Sequence, residues 1–214
     1  MIDKQIIMDA LAPFPSAPIN SVRAVMAKAE EAMDTALKIV DGGKIVPLTF
    51  FIHTQGDEAM RFLPSEIPRD LIAPIVLSVA KSNEGASALI HVSEAWALRT
   101  EGTLKVATPE AREWVASGQS IQDHPDAIEI VMVNASCQVG GFGQYNYCGT
   151  AMIKNANGAR RLDPAKWFVA DEMSGALVMP VEEMLTTIED ADFLREEMNK
   201  PRDGTYSDAA NDWG

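Results

Sequence analysis

The sequence predicts an α+β fold: a mixed, largely antiparallel sheet of about five strands with helices packed on one side. Three observations lead there. β-Branched and aromatic runs come in pairs separated by turn signals, residues 46–53 with 59–63 and 127–135 with 144–153, which is the order of hairpins. Apolar residues from Val22 to Val40 recur every three or four positions, the stripe of a helix lying on a sheet. Helical and strand segments are interleaved along 214 residues, 47% of them hydrophobic, enough for one sizeable core.

Taken in order, residues 4–11 form a short apolar helix stopped by Pro13, Pro15 and Pro18, because proline lacks the backbone donor and pushes its predecessor out of helical geometry. Asn20 or Ser21 caps a longer helix to Val40, whose inward positions are Val22, Val25, Met26, Ala29, Met33, Ala36, Leu37 and Val40. Asp41-Gly42-Gly43 ends it. The strand 46–53 carries Pro47 near its start, and Gln55-Gly56-Asp57 turns the chain into its partner 59–63. Pro68 opens a helix to Lys81 that buries Leu71, Ile72, Ile75, Val76 and Val79. Residues 86–92 are a strand continuing through Arg99, and Thr108 caps a brief helix through Trp114 and Val115. Strand 127–135, the turn Gly140-Gly141-Phe142-Gly143 and strand 144–153 make the second hairpin. Residues 155–161 read as a turn, 167–170 as a short strand, and 181–198 as an amphipathic helix with Met184, Leu185, Ile188, Ala191 and Leu194 inward. No repeat, low-complexity tract or linker divides the chain. The expected organisation is a single α+β domain over 1–170 with an acidic C-terminal helix and tail, 171–214, attached to it.

Charge narrows the function classes. The formal net charge is −13, and residues 171–214 hold 12 Asp and Glu against Arg195, Lys200 and Arg202. That balance opposes direct nucleic-acid binding and docking on anionic membrane. No apolar run approaches the roughly 18 residues of a membrane-spanning helix. Met1-Ile2-Asp3-Lys4 lacks the basic start of a secretory signal, so the expected location is cytoplasmic. Two cysteines exclude a disulfide scaffold.

Motifs that carry their own chemistry are missing. There is no phosphate-cradling loop ending in Lys and Ser or Thr, no nucleophile-elbow serine and no helix-borne pair of zinc histidines. The glycine-rich stretch at 140–143 stands between two strands, without the helix N-terminus that a pyrophosphate needs. Cys137 and Cys148 flank that turn, and a hairpin centred at Phe142 and Gly143 sets them opposite each other as buried thiols or, less in keeping with a cytosolic chain, a redox pair. The three histidines, His53, His91 and His124, stand at or near strand ends or approach loops with carboxylates close by: Asp57 and Glu58, Glu94, and Asp123 and Asp126. Imidazole and carboxylate are the ligands of zinc, manganese or iron, so the three histidines are the candidate metal ligands, and His91, Glu94 and His124 the candidate catalytic groups. In that pocket version Trp96 is an apolar wall, and Trp96 and Asp126 are the candidate ligand contacts. The competing reading is a structural latch: His124-Pro125-Asp126 as a stiff turn whose Asp bonds nearby backbone, and Glu94 paired with Arg99 or His124.

The stretch Ser93-Glu94-Ala95-Trp96, followed by an extended connection and by His124-Pro125-Asp126 opening a long strand, resembles a pattern in uncharacterised α+β proteins of bacteria and their phages. The resemblance covers about residues 67–153. It implies the α+β fold and carries no activity.

Three functions are thereby set in order. The leading expectation is a non-enzymatic binding or assembly protein, bacterial or phage, acting through a protein partner or self-association. Its grounds are the missing catalytic signatures, eleven adaptable methionines and the acidic last helix. It needs no cofactor. The second is a small metal-assisted hydrolase, with a divalent metal on the histidines and carboxylates. The third is an acidic nucleic-acid mimic that inhibits a DNA-binding protein.

Overall fold

A computed structural model describes residues 4–83, 85–100, 103–105, 109–156, 159–170 and 185–199. The expected cap Thr108, the start of the expected terminal helix at 181–184 and the acidic tail lie outside these residues. The chain runs α1 (Lys4–Ala10), β1 (Leu11–Pro15), α2 (Val22–Asp41), β2 (Thr49–Thr54), β3 (Glu58–Phe62), α3 (Arg69–Ser82), β4 (Ala86–Thr100), β5 (Thr103–Lys105), α4 (Pro109–Ala116), β6 (Ala127–Val139), β7 (Gly143–Ala156), β8 (Ala159–Leu162), β9 (Lys166–Ala170) and α5 (Ala191–Asn199). A single 3-10 turn, Ile121–Asp123, precedes β6.

All strands join one sheet in the order β1-β3-β2-β4-β6-β7-β8, with β5 beside β4 and β9 beside β7. Every pairing between these described strands is antiparallel, and a lone parallel bridge joins Val139 to Ile188. The α+β class therefore holds, while the sheet is wider than the expected five strands. The unforeseen strands lie at the margins. Leu11–Pro15 pairs with β3 although it contains Pro13 and Pro15, because an edge strand has no outer neighbour to demand their missing donors. At the other margin β8 and β9 line successive parts of β7, separated by Asp163-Pro164-Ala165. Residues 159–162, expected in a turn, are thus strand.

Alternation along the strands defines two faces. Ser21 accepts a hydrogen bond from the Ala24 N–H and starts α2, whose Val25, Ala29, Met33, Ala36 and Val40 are buried with Ala88, Ile90 and Val92 of β4 and Val131, Val133 and Ala135 of β6. On the opposite face Ile72, Val76 and Ala80 of α3 share a second core with Phe50 and Ile52 of β2, Phe62 of β3 and Leu89 of β4. Helices therefore cover both faces of the sheet, correcting the one-sided layering. The sign was in the strands: Ala88, Leu89 and Ile90 of β4 are consecutive apolar residues, as a strand covered on both faces requires.

The terminal helix is shorter than the spacing suggested. Only residues 191–199 are helical among those described, and 185–190 run irregularly along the body. Leu185 enters the α3 core, whereas Ile188, Phe193 and Leu194 enter the α2 core. The Ile188 N–H donates to the Gln138 carbonyl at 2.8 Å, and Asp190 Oδ2 accepts from the Val22 N–H at 2.8 Å. An acidic residue of the C-terminal segment thus caps the first turn of α2. No described helix is long and apolar enough to cross a membrane.

One glycine has a packing reason. Gly149 of β7 pairs with Trp167 of β9, whose ring stacks on Tyr147 with centroids 4.7 Å apart and planes 8° from parallel. A Cβ at 149 would stand 2.6 Å from that ring. Strand propensity favours alanine over glycine, yet Gly149→Ala is expected to destabilise the protein by about 1–3 kcal/mol through this overlap. Urea unfolding measures it, and an unchanged or raised midpoint would show that the indole yields freely.

Candidate functional site

The site is built by an offset between helix and sheet. α2 packs over β4, β6, β7 and β8, and among the described residues no helix packs closely on the same face of β1, β2 and β3. Beside its core stripe α2 carries a second row, Lys28, Ala32, Thr35 and Ile39, at three-four spacing. Between that row and the strands lies a cavity of about 270 Å³. Its floor is Phe51, His53 and Thr49 of β2 with Ile90 and Val92 of β4; Phe14 and Arg61 come from β1 and β3, and Val46-Pro47 close one end.

Three rings cluster there. Phe14 meets Phe51 edge-on at 5.9 Å and His53 edge-on at 6.0 Å, and Phe51 lies tilted against His53 at 6.4 Å. His53 is buried, and its Nδ1 shares a 3.1 Å hydrogen bond with Ser16 Oγ. Burial lowers the imidazole's proton affinity to about 4, with the Lys28 charge lowering it further and Glu31 opposing. His53 is therefore neutral at pH 7. Lys28 Nζ is bound to Glu31 Oε2 at 2.6 Å.

The end wall at Val46 is held by a half-buried ionic clamp. Arg160 of β8 forks onto Glu94 of β4, Nη1 to Oε1 at 3.0 Å and Nη2 to Oε2 at 2.7 Å, and also reaches Glu129 of β6 at 2.8 Å and the Lys44 carbonyl at 3.0 Å. Glu94 Oε1 in turn accepts from the Val46 N–H at 2.8 Å. The hydrogen bond to Glu94 and both carboxylate charges raise the guanidinium's proton affinity above its usual value.

The three histidines do not converge. His53 faces α2, whereas His91 pairs across from Phe50 and lies on the α3 face. His91 is buried, its Nε2 has no hydrogen-bond partner among the described residues, and burial lowers it to about 4. His124 stands apart, edge-on to Trp114 at 4.5 Å with Nε2 3.5 Å from Glu110. The Asp126 N–H donates to His124 Nδ1 at 3.1 Å, so the ring, not the aspartate, bonds the turn's backbone. Glu94 lies on the α2 face, one parity away from His91, and its partner is Arg160. Trp96, 39% exposed, and the exposed Asp126 do not line the cavity. Among the described residues no three His, Cys, Asp or Glu side chains gather to hold a metal ion.

The cysteines also part. The hairpin centres on Gly141, so Cys137 pairs with Tyr145 and Cys148 with Asn134, on opposite faces. Both are thiols whose proton affinity burial pushes up to about 12. Cys148 instead joins a polar ladder on the α3 side: its Sγ donates to Asn134 Oδ1 at 3.2 Å, and Ser136 Oγ donates to Asn146 Oδ1 at 2.8 Å.

The residues that sequence reasoning missed are Ser16, Lys28, Phe14, Arg61 and Arg160. The second row on α2 was a usable signal for the cavity. Arg160 was hidden in Asn155 to Arg161, whose composition is that of a turn.

Two measurements follow. Arg160→Met leaves Glu94 and Glu129, with side chains 10% and 18% exposed, without their cation. It is expected to cost about 3–5 kcal/mol in urea unfolding, against about 1 kcal/mol for Glu129→Gln, which keeps the fork; equal costs would deny the clamp its central cation. The second concerns pH. Unfolded, His53 and His91 take up protons near pH 6.5, but in the native protein only near pH 4. They leave stability untouched above pH 6.5 and drain it as pH falls from 6.5 to 4, by about 1.4 kcal/mol per pH unit for each. Urea midpoints across that window should flatten in His53→Gln and again in His91→Gln; an unaltered slope would mean that the imidazole is not buried neutral.

No family model matches the chain, and neither the curated proteins nor the solved structures contain a match.

Proposed function

We propose that this chain is a binding protein and not a catalyst, with the cavity between α2 and β1–β3 as its recognition site. The observation that carries the reading is an apolar chamber whose one buried ionisable group, His53, is held neutral. A general base works best with a proton affinity near the working pH, and His53 lies well below it. What the chamber offers is shape, aromatic surface and a few fixed polar groups, the makings of a ligand pocket.

The terminal segment packs Leu185, Ile188, Phe193 and Leu194 against the body, the first, second and last of them at positions expected to face inward. The hydrolase reading lacks a ligand set among the described residues. The nucleic-acid mimic needs a continuous acidic surface over 171–214, most of which lies outside the described residues.

A ligand that binds only the native state raises stability by about 2.7 kcal/mol at a hundred times its dissociation constant. Neutral single-ring probes, phenol and toluene, are expected to raise the melting temperature saturably. Ala32→Trp and the milder Ala32→Leu, which fill the chamber from α2, should abolish or reduce the effect. No saturable shift with either probe, or a shift that both variants leave intact, would overturn the reading; so would esterase turnover lost in His53→Gln.

A further inference from the structure

The lining of the chamber specifies its ligand further. An engineered 150 Å³ apolar cavity holds benzene, so about 270 Å³ suits one ring, or a branched chain of that bulk, with a short polar arm. The rings of Phe14 and Phe51 and the side chains of Ile90 and Val92 suit the apolar part. The polar arm is decided by charge at the mouth.

Three formal charges line the chamber: Lys28, Glu31 and Arg61. Lys28 and Glu31 satisfy each other at 2.6 Å. Arg61 is exposed, pairs across from Phe51 and Ala12, and has no carboxylate partner among the described residues. The mouth therefore carries one uncommitted positive charge, next to the aromatic floor, in a chain whose net charge is −13. The surplus negative charge does not cancel this locally, since salt at physiological strength screens charges beyond about 8 Å. A guanidinium presents paired donors in a planar fork, the geometry of a carboxylate.

Resting on the binding reading above, we propose that the ligand is a small aromatic or branched aliphatic carboxylate, its apolar body in the chamber and its carboxylate on Arg61. An amide of the same shape fills the chamber but forgoes the ion pair, and an ammonium is repelled.

Calorimetric titration with phenylacetate, phenylacetamide and phenethylammonium tests this. Phenylacetate is expected to bind the native protein about tenfold more tightly than phenylacetamide, with phenethylammonium the weakest. Arg61→Gln should remove the preference for phenylacetate over the amide, read as the ratio of the two affinities in that variant, and Arg61→Lys should keep part of the preference. Equal affinity for acid and amide in the native protein, or a preference that survives Arg61→Gln, would overturn the carboxylate assignment and leave the pocket standing. Failure of all three probes would overturn the pocket itself, the amide being its reporter.

Discussion

The guanidinium of Arg160 is the joint on which the arrangement turns. Partly removed from water, it is affordable only because two carboxylates and a carbonyl surround it, and those partners come from three different places: β4, β6 and the end of α2. Glu94 extends the joint to the Val46 backbone. A single cation thereby fixes the strand order near one end of the sheet and the exit of α2 together. The same contact holds the Val46 end of the cavity.

That chamber is a consequence of layering. A helix wide enough to cover β4, β6, β7 and β8 cannot also cover β1–β3, and α3 is engaged on the other face. The uncovered strip keeps aromatic residues on its surface, where a fully solvated strip would be polar. His53 shows the balance between burial and polarity: close enough to water's edge to meet Ser16, yet buried enough to stay neutral. His91 is the contrasting case, equally neutral but sealed beneath the opposite layer.

How much of this was legible follows from what each signal encodes. Val22 to Val40 announced α2 because three-four spacing and a Ser21 cap are local properties. The hairpins were legible for the same reason. Face assignment was not, since alternation fixes which residues share a side but not which helix lies there. The cysteine placement failed over one hairpin centre: moving it from between residues 142 and 143 to Gly141 shifts the register by an odd number and sends Cys148 to the other face. Leu185 and Ile188 mimicked helical spacing while the chain was extended between two cores. The site's charges were the least legible, because Glu94 and Arg160 stand 66 residues apart and only the folded sheet makes them neighbours.

The two margins of the sheet carry a consequence for how the molecule meets others. Pro13 and Pro15 interrupt the hydrogen-bonding row at β1, and Pro164 breaks the row between β8 and β9. Neither border gives an incoming strand an uninterrupted template, so the sheet resists growing by edge-to-edge accretion into fibrils. Contacts at these borders are left to side chains more than to backbone pairing.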